Sequence, residues 1–257
     1  MKKILEYICL FAILIFSFYY TNKAAILARN ANPIMKNIIE IKDSKTVSSI
    51  NAIINDDYII PGLNGLVVNE LDSFNKMRPY NIFNEYYLVY EQVSPKISLE
   101  NNKDKIIING NKEKKEVSLL VDNKDIAAFL DELEIKYSFL VDLNNYVEKE
   151  EVINNEYNKF NELDKELIKK EKNKGICIVN SSVNIKECKK RNYYLVEAKE
   201  FNKSNLVNFK KEIENGSIIK INKDLTTKEI ATIINYIKSK GLNIVNLSEL
   251  ISEKNTE

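Results

Sequence analysis

Asp122 and Asn123 hold the position in this chain best suited to chemistry. They close an apolar run, Val117–Val121, and a helical pattern begins directly behind them at Asp125. A buried strand that delivers a carboxylate at its C-terminal end is where α/β folds gather reacting groups. A carboxylate there can serve as a general base or as one ligand of a metal, and either role needs partners. The chain contains no histidine at all. That one fact removes imidazole zinc sites, Ser-His-Asp triads and Cys-His pairs together. The three cysteines, Cys9, Cys177 and Cys188, are too few and too scattered for a thiolate zinc centre. Cys177 and Cys188 are able to pair in an oxidising compartment, which sequence alone leaves open. Asp122, Asp125 and Asp142 offer oxygens for Ca or Mg, but acidic residues at strand ends are commonly helix caps.

Charge and composition narrow the partners. Lys+Arg 38 against Asp+Glu 37 leaves a net charge of +1, so no electrostatic field favours nucleic acid. Only 6 Gly and 4 Pro occur, and neither G-x-G-x-x-G nor G-x-x-x-x-G-K-[ST] is present. Nucleotide binding through those loops is therefore unsupported.

The elements that would position Asp122 alternate in type. After strand Val117–Val121 comes a helix over 125–134, with Ile126, Phe129 and Leu130 on one face, then a strand over 137–142. A charged stretch, 148–172, carries Val152, Ile153, Tyr157, Phe160, Leu163, Leu167 and Ile168 at helical spacing, with Gly175 as its C-cap. Strands follow over 176–179 and 193–197, then a helix over 205–214 and a strand over 217–221. Thr226 or Thr227 caps a helix bearing Ile230, Ile233, Ile234 and Ile237, and a last strand spans 242–245 before Leu247–Ile251. Strands alternating with helices predict a mostly parallel α/β sheet or barrel.

The first half reads differently. Lys2 and Lys3 precede an apolar run over 4–20 with Glu6 its one acidic residue, which predicts a single membrane span with the remainder of the chain outside. No small-x-small cleavage site follows Tyr20, which favours an uncleaved anchor over a signal peptide; Cys9 lacks a lipobox. The expected organisation is a signal-anchor over 1–22, a stalk over 23–43 and a β-rich module over 44–112. The module has strands near 47–54, 58–60, 86–90 and 106–108 and a short helix over 72–77. Its cluster of Tyr86, Tyr87 and Tyr90 suits either cross-strand packing or a sugar-binding surface, packing being the commoner use.

Residues 113–257 resemble the NodB-homology domain of polysaccharide deacetylases, a distorted (β/α) barrel. The resemblance is carried by Gly216-Ser-Ile-Ile-Lys-Ile-Asn, by Ile237-Lys-Ser-Lys-Gly-Leu-Asn-Ile-Val-Asn-Leu-Ser-Glu-Leu-Ile, by Val117–Asn123 and by Ile135-Lys-Tyr-Ser-Phe-Leu-Val. It implies a truncated barrel over about 112–252. It also implies a general base at Asp122, a divalent metal held by a second Asp and two His, and a later His as general acid. Here the metal-binding Asp falls on Asn123, the motif glycine on Lys124, the two His on Ser181 and Ile185, and the acid His on Asn222. The expectation is a membrane-anchored, extracytoplasmic pseudoenzyme without metal or cofactor. Asp122 is then a vestigial base, and cell-wall glycan or an envelope protein is the partner. The alternatives are a divergent, active carbohydrate N-deacetylase and a purely structural envelope scaffold.

Overall fold

The computed structural model describes residues 2–141, 151–154, 175–179, 185–190 and 192–255. The chain divides into two compact units, the first made of residues 1–48 and 65–93, the second of 49–64 and 94–257.

In the first unit, α1 (Lys2–Ala31) is one continuous helix. Its stretch Tyr7–Ala31 is long and apolar enough to cross a membrane, and none of it is buried. At 1.5 Å per residue those 25 residues reach about 37 Å, more than a hydrocarbon core of roughly 30 Å. The helix therefore runs past the expected anchor boundary at 22. It ends where Pro33 removes an amide donor and Asn32 caps the next helix, accepting from the Ile34 amide at 2.9 Å. That next helix, α2 (Pro33–Ile41), replaces the expected stalk. Its Ile34, Met35 and Ile38 are buried against Val68, Phe74, Met77 and Leu88. A polar-mixed composition concealed this face because the apolar residues recur at helical spacing rather than as a run. α3 (Glu70–Met77) begins two residues before the sequence expectation, capped by Asn69 through the Asp72 amide. β3 (Gly65–Val68) pairs antiparallel with β4 (Tyr90–Val93). Of the strand expected over 86–90, residues 86 and 87 lie in a 3-10 turn, Glu85–Tyr87, and only Tyr90 is in β4.

The second unit holds a sheet of eleven strands among the described residues. It runs β1 (Ile53–Asn55), β2 (Tyr58–Ile60), β5 (Ile106–Ile107), β10 (Tyr194–Val196), β9 (Ile176–Ile178), β8 (Glu151–Asn154), β7 (Ser138–Val141), β6 (Glu116–Val121), β12 (Ile218–Ile221) and β11 (Lys199–Phe201). β13 (Asn243–Val245) pairs with the first half of β6, and β7 pairs with its second half. A separate β-rich module over 44–112 is thus not what forms. Strands β1, β2 and β5 belong to the large sheet, while Gly65–Val93 belongs to the first unit. Two strands had no counterpart in the sequence reading. β8 lies in a stretch with helical spacing, and β11 was concealed by its two charged residues, Lys199 and Glu200. Residues 155–172 of that expected helix lie outside the described residues.

β6 is buried on both faces because it is flanked by parallel neighbours and covered twice. Val117, Leu119 and Val121 face α4 (Lys124–Glu132) and α7 (Thr227–Ser239), packing with Ile126, Leu130, Ile230, Ile233 and Ile237. Leu120 faces the opposite core with Ile218, Ile176 and Val196, and α8 (Leu247–Ile251) fills that core with Leu247, Leu250 and Ile251. Gly216, two residues before β12, has φ +87, and a Cβ there would lie 2.4 Å from the Gly110 carbonyl oxygen, so glycine is needed at this approach. Cys177 and Cys188, both buried, are joined by a disulfide that ties β9 to α5 (Ile185–Lys190).

Candidate functional site

Strands β6, β12 and β11 run parallel, so their C-terminal ends lie side by side. Val121 is in register with Ile221, and the residues that follow, Asp122 and Asn222, emerge next to each other. Period-two alternation puts Asp122 on the Leu120 face and Asn222 on the Lys220 face, the side opposite the helices α4 and α7.

Asp122 does not stand as an isolated base. The Lys220 ammonium lies 3.7 Å from its Oδ2. Lys220 is the one cation of the strand Ile-Ile-Lys-Ile, and its side chain is 21% exposed against 41% for Asp122. An ammonium at that distance competes for the lone pairs a general base would use.

Asn123 has a structural task. Its Oδ1 accepts from the Asp125 amide at 2.8 Å and from the Ile126 amide at 3.1 Å, satisfying two donors of the first turn of α4. Lys124 is the first residue of that helix and is exposed. Asn222 is likewise committed. Its amide nitrogen donates to Glu200 Oε1 at 2.9 Å, and its Oδ1 accepts from the Asp224 amide at 3.1 Å. Ile185 opens α5 and packs against the core around the disulfide. Ser181 and Asp142 lie outside the described residues.

The geometry thus brings together Asp122 and Asn222 from the expected set. It adds two residues the sequence reading missed, Lys220 and Glu200. A signal for Lys220 was present, since a lone lysine inside an otherwise apolar strand demands a partner. Glu200 carried none, because β11 itself was not expected.

These residues do not fit the divalent metal that the family resemblance implies. Ile185 has no donor atom, Asn123 Oδ1 already serves two amides, and the carboxylate of Asp122 faces an ammonium. Among the described residues no three acidic or thiol side chains converge as a metal cluster. A second polar concentration lies at the opposite ends of the strands. There Lys114, 8% exposed, donates to the Ser252 carbonyl at 2.7 Å and the Glu249 carbonyl at 3.3 Å, which ties down the end of α8. Burial holds its ammonium below the usual lysine range and pushes nearby Glu116 above the usual carboxylate range.

No family model matches the chain, and no curated protein matches it. Solved structures do. A CE4 family pseudoenzyme from Bacillus anthracis is 18% identical with a TM-score of 0.53, covering 87% of this chain and 96% of that one. A mutant of that pseudoenzyme, described as having restored enzymatic activity, is 18% identical with a TM-score of 0.54, covering 87% of this chain and 99% of that one. The mixed α/β architecture of this chain is therefore the NodB-type fold seen in that CE4 family pseudoenzyme.

Proposed function

We propose that this chain is a membrane-anchored, extracytoplasmic protein of deacetylase-type fold that performs no deacetylation and acts in the cell envelope as a binding module. The observation that carries the reading is the Asp122–Lys220 pair in a chain without a single histidine. Amide hydrolysis by this fold class needs a metal-activated water and a proton donor for the leaving amine. Here the strand ends supply two carboxylates, Asp122 beside the Lys220 ammonium and Glu200 accepting from Asn222, and the side-chain amides of Asn123 and Asn222 are spent on local hydrogen bonds. The likeness to a solved CE4 pseudoenzyme supports the same reading. Membrane anchoring is supported by α1, and an extracytoplasmic position by Lys2 and Lys3 ahead of the span and by the Cys177–Cys188 disulfide.

The test is acetate release from N-acetylglucosamine oligomers and from peptidoglycan by the full chain in detergent, with zinc, cobalt or manganese supplied. No release above a protein-free blank is expected. Metal-dependent release that disappears in Asp122→Ala overturns the proposal and establishes a divergent deacetylase.

A further inference from the structure

α1 brings the first unit to the bilayer with almost no chain to spare. Its apolar stretch ends at Ala31, and Asn32 alone separates it from α2. The stretch reaches about 37 Å, past the hydrocarbon but inside the roughly 40–45 Å that includes the headgroups. The first turn of α2 therefore starts at headgroup level. α3 runs antiparallel to α2, because Lys42, the C-cap of α2, is paired with Glu70, the first residue of α3, at 2.6 Å. At the other end of α3, Met77 is buried in one cluster with Ile34 and Met35 from the first turn of α2. The segment that leaves α3, Arg78–Ile82, thus lies beside the point where α1 leaves the membrane.

Every residue of that segment is exposed. Arg78–Tyr80 forms a 3-10 turn, and Asn81, at φ 48, reverses the chain so that Tyr80 and Ile82 stay outside, 64% and 60% exposed. Tyr80 leans on Tyr87, ring centroids 5.5 Å apart, which fixes its direction. Charge is sorted along the same axis. Residues 29–39 and 73–84, the end next to α1, contain Arg29, Lys36, Lys76 and Arg78 and no Asp or Glu. Glu40, Asp43, Glu70, Asp72 and Glu85 stand toward the other end, where Lys42 and Lys45 pair with two of them.

We propose that the turn Arg78–Ile82 is a second membrane contact, which seats the first unit on an anionic bilayer surface beside its own anchor. Tyr80 and Ile82 enter the boundary between headgroups and acyl chains, and the cations around them face lipid phosphates. A tyrosine, apolar in the ring and polar at the tip, suits that boundary. Basic groups close to an anionic surface are attracted to it within about a Debye length, and no carboxylate in these two segments opposes them. The anchor holds the bilayer permanently against this end of the unit, so even a weak contact is occupied. A soluble partner would have to displace it. Held at two points, the first unit cannot swing about Asn32.

This contact rests on α1 spanning the bilayer, and the test separates the two. The chain contains no Trp, so a single introduced Trp reports its own surroundings. Full-length Phe16→Trp, Tyr80→Trp, Ile82→Trp and Leu71→Trp are placed in nanodiscs of mixed phosphatidylcholine and phosphatidylglycerol, with and without lipids brominated high on their acyl chains. Leu71, 45% exposed in the first turn of α3, marks the far end of the unit. Bromination should quench Phe16→Trp, should quench Tyr80→Trp and Ile82→Trp at least about twofold, and should leave Leu71→Trp nearly unchanged. Combining Lys36→Glu and Arg78→Glu with the Tyr80→Trp reporter should restore at least half of its lost emission. These side chains are exposed, so each variant should keep the wild-type Tm, which checks the fold. Quenching of Phe16→Trp with water-like, unquenched emission from both turn positions overturns the contact and leaves the anchor standing. A blue-shifted emission that bromine does not quench also overturns it, by placing a protein there. Equal quenching of Leu71→Trp refutes the orientation, and quenching indifferent to the double charge reversal refutes the anionic surface. An unquenched Phe16→Trp defeats the anchor and this contact with it.

Discussion

Replacing Asn123 separates a structural cap from a lost metal ligand. In the structure its Oδ1 holds two amides of α4, a helix of only 9 residues whose Ile126, Ala127 and Leu130 are buried. Asn123→Ala orphans both donors and lets the first turn fray where Ile126 enters the core. Loss of an N-cap of this kind costs about 1–2 kcal/mol. For a unit of this size that lowers Tm by roughly 2–8 °C. Asn123→Asp keeps an acceptor in the same place and gains from the helix dipole. It also sets a second carboxylate beside Asp122, which Lys220 only partly offsets. Its stability should stay within about 0.5 kcal/mol of wild type, since the dipole gain and the repulsion are each of that order. The assay is thermal and urea unfolding of the full chain in detergent, paired with equilibrium dialysis against zinc. If Asn123→Ala unfolds with wild-type Tm, the cap is not what this residue is for. If Asn123→Asp alone binds zinc tightly, the site is one mutation from a metal centre, and the account of it given above is wrong.

Three further perturbations test the framework around the site. Glu253 Oε1 accepts from the amides of Gly62 and Leu99, both at 2.8 Å, tying the C-terminal tail to the turn after β2 and to the segment before β5. Glu253→Ala should therefore cost about 2–4 kcal/mol in urea unfolding, while Glu253→Gln, which retains the oxygen, should cost about half as much; equal losses would mean that charge alone matters. The Cys177–Cys188 bridge closes a loop with a sequence separation of 11, so Cys188→Ser should lose roughly 3 kcal/mol on the loop-entropy account, and a reducing agent should affect only the wild type. In the capping box of α7, hydrogen bonds from the Thr226 amide and hydroxyl hold the Glu229 carboxyl below its ordinary 4.5. A carboxyl depressed in the folded state contributes stability above its unfolded value, and that contribution is lost as pH falls through the folded one. NMR titration should find Glu229 below 4.5 in the wild type and nearer to it in Thr226→Ala, where the hydroxyl donor is gone; an unchanged titration would remove the cap from the account.

The chain by itself determined the features that rest on local pattern. Val117–Val121 is apolar but for the buried Ser118 because a parallel strand is buried on both faces, and Ile230, Ile233, Ile234 and Ile237 mark one helix face by spacing alone. Those signals located β6, β12, α7 and the strand-end position of Asp122. The missing histidine needed no structure either, because an absent side chain cannot be restored by folding. Tertiary structure alone decided the company Asp122 keeps. Lys220 reaches it, and Glu200 reaches the adjacent Asn222, from strands far along the chain, and that adjacency depends on parallel registers no local pattern encodes. The division into units was equally hidden. A three-residue strand such as β1 or β2 carries too little pattern to reveal which sheet it will join, and only pairing across the fold assigns it. Asn123 shows both at once: its place after a strand was legible, but whether it faces a metal or caps a helix depends on where two amide hydrogens point.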